Sequence, residues 1–173
     1  MRLPLSTVLA AAAVAALGAA GLIRGAVPIG ADTGGAAGAS APIVVSGAYV
    51  REPAPPTDAA AAYFTVYNTT GTADRLLSVV SGAGATAMLH TVSNGSMSAA
   101  ANGAVIPPHG KLVLSTGSGH VMIEGLFGPL RPGQSVNLAL TFADAGTLDV
   151  SAPVVALGAP APTGSAVSSG ATK

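Results

Sequence analysis

Beyond residue 40 the apolar residues of this chain come in short runs, each closed by glycine, proline or an Asn/Asp turn. Runs of that length suit strands, which need only a few residues between turns, and disfavour long helices. Clear examples fall at residues 43–50, 61–68, 136–142 and 147–155, while residues 51–58 hold Pro53, Pro55 and Pro56 and must be loop. The chain contains 23 Gly and 13 Pro, enough to supply a turn after every run. The expected fold is all-β: an antiparallel β-sandwich of eight or nine short strands.

Half the residues are apolar but only 3% are aromatic, so Ala, Val and Leu must fill a thin core. Charged residues make up 8% and the formal net charge is zero, which gives no basic face for a nucleic acid. Cysteine is absent. That removes disulfides, thiolate zinc sites, blue-copper centres and thiol nucleophiles, and leaves imidazole, carboxylate and thioether for any metal.

The chain begins Met1–Arg2, continues with small and apolar residues over 3–23, and meets Arg24. A basic start before such a run is a secretion signal, and 21 residues are also enough to span a bilayer as an uncleaved tether. Both readings export the rest, to the periplasm, cell envelope or outside the cell. Without cysteine, no residue can carry a cysteine-linked lipid. The expected organisation is a signal peptide or anchor at 1–24, a flexible Gly/Ala/Pro-rich linker at 25–40, a folded domain at 41–157 and a disordered tail at 158–173.

The soft donors cluster. Apart from Met1, every methionine (Met88, Met97, Met122) and every histidine (His90, His109, His120) lies between residues 88 and 122. Methionine used only as core filler would be scattered among the strands. His120 and Met122 are two apart, as are Met88 and His90, so each pair shares one face of a strand. Asn94–Gly95 signals a two-residue hairpin. Counting back from it sets Val92 opposite Met97 and His90 opposite Ala99, which places His90 and Met97 diagonally on one face. Thioether sulfur is neutral and soft, suited to copper(I). His109 sits in the turn Pro107–Pro108–His109–Gly110 and is expected to be solvated.

These positions resemble the signature of the periplasmic copper chaperones called PCuAC: a His, a downstream Met, then His-x-Met. The matching residues are His90, Met97, His120 and Met122, with Met88 as the alternative sulfur if the hairpin pairs differently. The likeness runs from about residue 43 to 155 and includes AAYFTVYNTTGTADRLLSV and VIPPHGKLVLSTGSGHVMIEGLFGPLRPGQSVNLALTF. It implies a cupredoxin-like sandwich holding one copper(I) ion per chain. The partner it implies is a copper acceptor such as the copper subunit of cytochrome c oxidase or its assembly factors. This chain departs from the pattern in having only six residues between His90 and Met97, fewer than the family's usual spacing. Its tail also contains neither His nor Met, so the second, copper(II) site of some relatives is not expected.

The carboxylates Glu52, Asp58, Asp74, Glu124, Asp144 and Asp149 stand singly, with no paired spacing for acid–base work and no Ser/His/Asp arrangement. The expectation is a carrier and not an enzyme. Two other readings stay open: a protein that buffers copper without a dedicated acceptor, and a secreted sandwich module using its methionines as an apolar contact patch.

Overall fold

The computed structural model describes residues 42–163 and 166–168. The expected leader and linker, and part of the expected tail, lie outside the described residues. Eleven strands follow in chain order: β1 (Ile43–Arg51), β2 (Ala60–Asn68), β3 (Asp74–Ser81), β4 (Gly84–Ser93), β5 (Ser96–Ala99), β6 (Ala104–Ile106), β7 (Lys111–Leu114), β8 (Gly119–Leu126), β9 (Ser135–Phe142), β10 (Thr147–Val155) and β11 (Ala166–Ser168). All regular structure among the described residues is strand.

Alternation drives the architecture. In β10 Leu148, Val150, Ala152 and Val154 are buried while the residues between them are mostly exposed, and β2 buries Ala60, Ala62, Phe64, Val66 and Asn68. A period of two puts one face of each strand against a core and the other in water. The inward faces meet in a single cluster that includes Phe64, Val66, Val121 and Ile123 from one side and Leu76, Leu138, Leu140 and Val150 from the other. The fold is thus the cupredoxin-like β-sandwich expected from the sequence.

The strands run in the order β5-β4-β8-β2-β1-β10-β9-β3-β6, with β7 also against β2 and β11 also against β1. Pairing is antiparallel except where β1 meets β10 in parallel, at Val50↔Val154 and Arg51↔Val155. This short seam joins the two layers. The strand count exceeds the eight or nine expected: the short runs at residues 104–106 and 111–114 are strands β6 and β7, and a further strand forms beyond the expected domain limit. β11 lies beyond residue 157 and pairs with Val44, Val45 and Ser46 of β1.

Polar groups inside the sandwich are satisfied. Buried Asn68 donates to the Thr72 carbonyl at 2.7 Å and accepts from the Thr70 amide at 2.9 Å. The Asp74 carboxylate caps the β9–β10 turn, accepting from the amides of Asp144 (3.1 Å) and Ala145 (3.2 Å). Each bond offsets the desolvation that burial would otherwise leave uncompensated.

Candidate metal centre

The outer face of the first sheet carries the soft donors. Asn94 and Gly95 both adopt positive φ, 51° and 75°, the conformation of a type I′ hairpin turn. The hairpin pairs His90 with Ala99, Val92 with Met97 and Ser93 with Ser96, the register counted from the sequence. On the other side β4 pairs with β8, setting His90 opposite His120 and Met88 opposite Met122. Directly opposed residues project from the same face. Met88, His90, His120 and Met122 therefore form a two-by-two block, flanked by Met97 on β5.

Within this block the imidazoles touch. Nδ1 of His90 lies 3.3 Å from Nε2 of His120, with ring centroids 5.1 Å apart at 80°. One ring's N–H can donate to the other's bare nitrogen. The same spacing suits a shared ion: at a metal–imidazole bond of about 2.0–2.1 Å, two nitrogens on a tetrahedral centre stand roughly 3.3–3.4 Å apart. The close approach depends on Gly119. A Cβ there would lie 2.7 Å from the His90 carbonyl oxygen, so a side chain at 119 would hold β8 away from β4.

Burial, and secondarily the neighbouring His90, lower the pKa of His120 below its ordinary 6.5. Both effects favour the neutral ring, the form that binds a metal. Met88 (40%) and Met97 (51%) are exposed to solvent, while Met122 is half-buried. Among the described residues no group of three or more His, Asp or Glu could hold a metal ion; the candidate donors on this face are two imidazoles and the methionine thioethers. That is the composition of a soft-metal site. His109 is exposed, with φ of 49° and its amide donating to the Thr70 carbonyl, away from the block as expected of a turn residue.

What lies beside His120 carries no local sequence signal. Tyr63 stacks on Tyr49 at 5.1 Å and lies 6.2 Å from the His120 ring, centroid to centroid, while the Arg51 guanidinium sits 5.3 Å from the Tyr49 centroid. These aromatic faces wall one side of the block. β2 becomes the neighbour of β8 only through long-range pairing, at Ala61↔Met122 and Ala62↔Val121, which no local spacing encodes. A hollow of about 600 Å³ around Pro53, Pro129 and Arg131 shares none of the block's residues, whereas a smaller one of about 260 Å³ reaches the block at Met122 and is lined also by Tyr63 and Arg51.

Solved structures share this architecture. A copper-bound PCuAC domain from PmoF2 superposes with a TM-score of 0.59 at 23% identity, over 68% of this chain and 96% of that one. The solution structure of CuI-DR1885 from Deinococcus radiodurans gives a TM-score of 0.59 at 31% identity, covering 70% and 84%. Fold and likeness together define a PCuAC-type domain. In sequence, residues 43–154 match the family described as "Putative lipoprotein LpqE-like", and the chain belongs to this LpqE-like family. It is 35% identical over 98 residues to "Putative lipoprotein Lxx21020" of Leifsonia xyli subsp. xyli, an alignment covering 54% of this chain and 59% of that protein. The match thus spans less than two thirds of that relative's length.

Proposed function

We propose that this protein is an extracytoplasmic copper(I) chaperone that carries one ion on the outer face of β4 and β8 and passes it to an acceptor protein. The observation that carries this reading is the pair of imidazole nitrogens 3.3 Å apart on a face that also bears thioethers. His90, His120 and Met122 are the core of the ligand set, and the sequence pattern offers Met97 or, alternatively, Met88 as the second sulfur. Neutral ligands hold a monovalent ion without adding buried charge. Because Met88 and Met97 are exposed, an incoming donor from a partner can displace the outer sulfur first. The related copper-bound PCuAC domain and CuI-DR1885 support the same reading, and the related lipoprotein supports an envelope location. Residues 3–23 would serve as signal or tether.

The acceptor we favour is the copper subunit of cytochrome c oxidase or one of its assembly factors. We read the protein as a carrier and not an enzyme, since the carboxylates stand singly in the sequence, with no paired spacing for acid–base work. Titration with copper(I) against a chromogenic chelator tests the binding. The wild type should hold the ion, and a His120→Ala/Met122→Ala double variant should release it to the chelator. Equal retention by both proteins would end the copper reading and favour an apolar contact patch made by the methionines. A deletion strain tests delivery: oxidase activity under copper limitation should fall. Unchanged oxidase activity with greater copper sensitivity would point to buffering.

A further inference from the structure

Three thioethers lie on the face that holds the two imidazoles, and the strand pairing does not treat them alike. Met88 stands directly opposite Met122, one pair along from the directly opposed His90 and His120. Opposed Cβ atoms are about 4.5–5.5 Å apart, and successive same-face residues on a strand are about 6.8 Å apart. The four side chains of the block therefore rise from the corners of a small rectangle and can converge on one point above it.

Met97 is placed differently. It pairs with Val92, so it sits one strand out from β4 and one pair beyond His90 toward the hairpin tip. Relative to Met122 it is two strands across and four residues along. With strands about 4.8 Å apart and a rise of about 3.4 Å per residue, that separation is roughly 16–17 Å. A methionine sulfur is only three bonds from its Cα, so two thioethers rooted that far apart cannot share an ion. The residue that faces His90 from β5 is Ala99, whose methyl donates nothing.

Resting on the copper(I) reading above, we propose that Met88 supplies the second sulfur. The resting ligand set is then Met88, His90, His120 and Met122, drawn from β4 and β8 alone. Met97 lies outside it, an exposed sulfur at the hairpin tip.

The test uses the purified protein and copper(I) as the probe, with Met88→Leu and Met97→Leu compared with wild type and with His120→Ala. Both leucine substitutions keep volume at exposed positions, and unchanged far-UV circular dichroism would show that each variant is folded. Competition with a chromogenic chelator should show Met88→Leu losing about tenfold or more in affinity and Met97→Leu nearly unchanged, since even groups behind metal ligands cost 10–100-fold when removed. X-ray absorption should count one sulfur on copper in Met88→Leu and two in Met97→Leu. The reverse pattern, or equal losses from the two, would overturn the assignment while leaving the copper reading intact. If His120→Ala binds as well as wild type, the copper reading itself fails and takes this assignment with it.

Discussion

At His120 two influences act in the same direction: partial burial penalises the charged ring, and the neighbouring His90 adds to that penalty. The pKa is therefore lower in the folded chain than the 6.5 of an ordinary histidine. The unfolded chain takes up the proton more readily, so acid favours unfolding. The contribution is complete above the unfolded value and is lost as pH falls through the lowered folded value. Thermal melts of the metal-free protein between neutral and acidic pH should show this loss, and a His120→Gln variant should show a flatter profile over the same window. The same lowering makes protons weaker competitors with a metal for this ring than for an ordinary histidine. Met122 is placed by the same logic of spacing: two residues from His120 on one strand, it shares the face whatever the neighbouring strand is. Its partnership with Met88 was not legible in that way, because it depends on which strand lies alongside.

Among the elements, the β4–β5 hairpin and the start of β8 do different jobs. Asn94–Gly95 fixes the hairpin register through two residues of positive φ. Gly95→Ala would put a Cβ into a left-handed conformation, at about 1–2 kcal/mol. It should lower the melting temperature by a few degrees and leave copper(I) affinity nearly unchanged, because β4 and β8 pair independently of β5. Gly119 matters to the centre itself. Gly119→Ala brings a Cβ to 2.7 Å from the His90 carbonyl oxygen, so β8 must shift away from β4. The expected outcome is a loss of about 1–3 kcal/mol in stability, as for other forced contacts, together with a marked fall in copper(I) affinity. Chemical denaturation and chelator competition on the same sample would separate the two effects. An affinity equal to wild type would show that the imidazole spacing does not depend on that close approach. The hairpin was legible because its turn is coded by two adjacent residues. Gly119 was not, because the atom it accommodates belongs to a residue 29 positions earlier.

Over the whole molecule the metal face is held in place by a core that lies on the opposite side of the same strands. Val121 and Ile123 are fully buried between and beside the outward-pointing His120 and Met122, and Leu89 is buried next to His90. Phe64 is one of only three phenylalanines in the chain and is 1% exposed, so it is a large part of a core otherwise built from small aliphatic side chains. Phe64→Ala should cost about 3–5 kcal/mol, a large share of the roughly 5–15 kcal/mol that holds a domain folded. Urea denaturation should show the midpoint falling sharply, and a shift equivalent to less than 1 kcal/mol would contradict that packing. The sequence by itself determined the strands, the hairpin register and the shared face of His120 and Met122, because turns and the two-residue alternation are local properties of the backbone. Only the tertiary structure decided that β8 lies between β4 and β2. That choice puts His90 against His120, Met88 against Met122 and Tyr63 behind them. It was made by burial of Leu89, Val121, Ile123 and Phe64 on the far side, a long-range packing that no local spacing encodes.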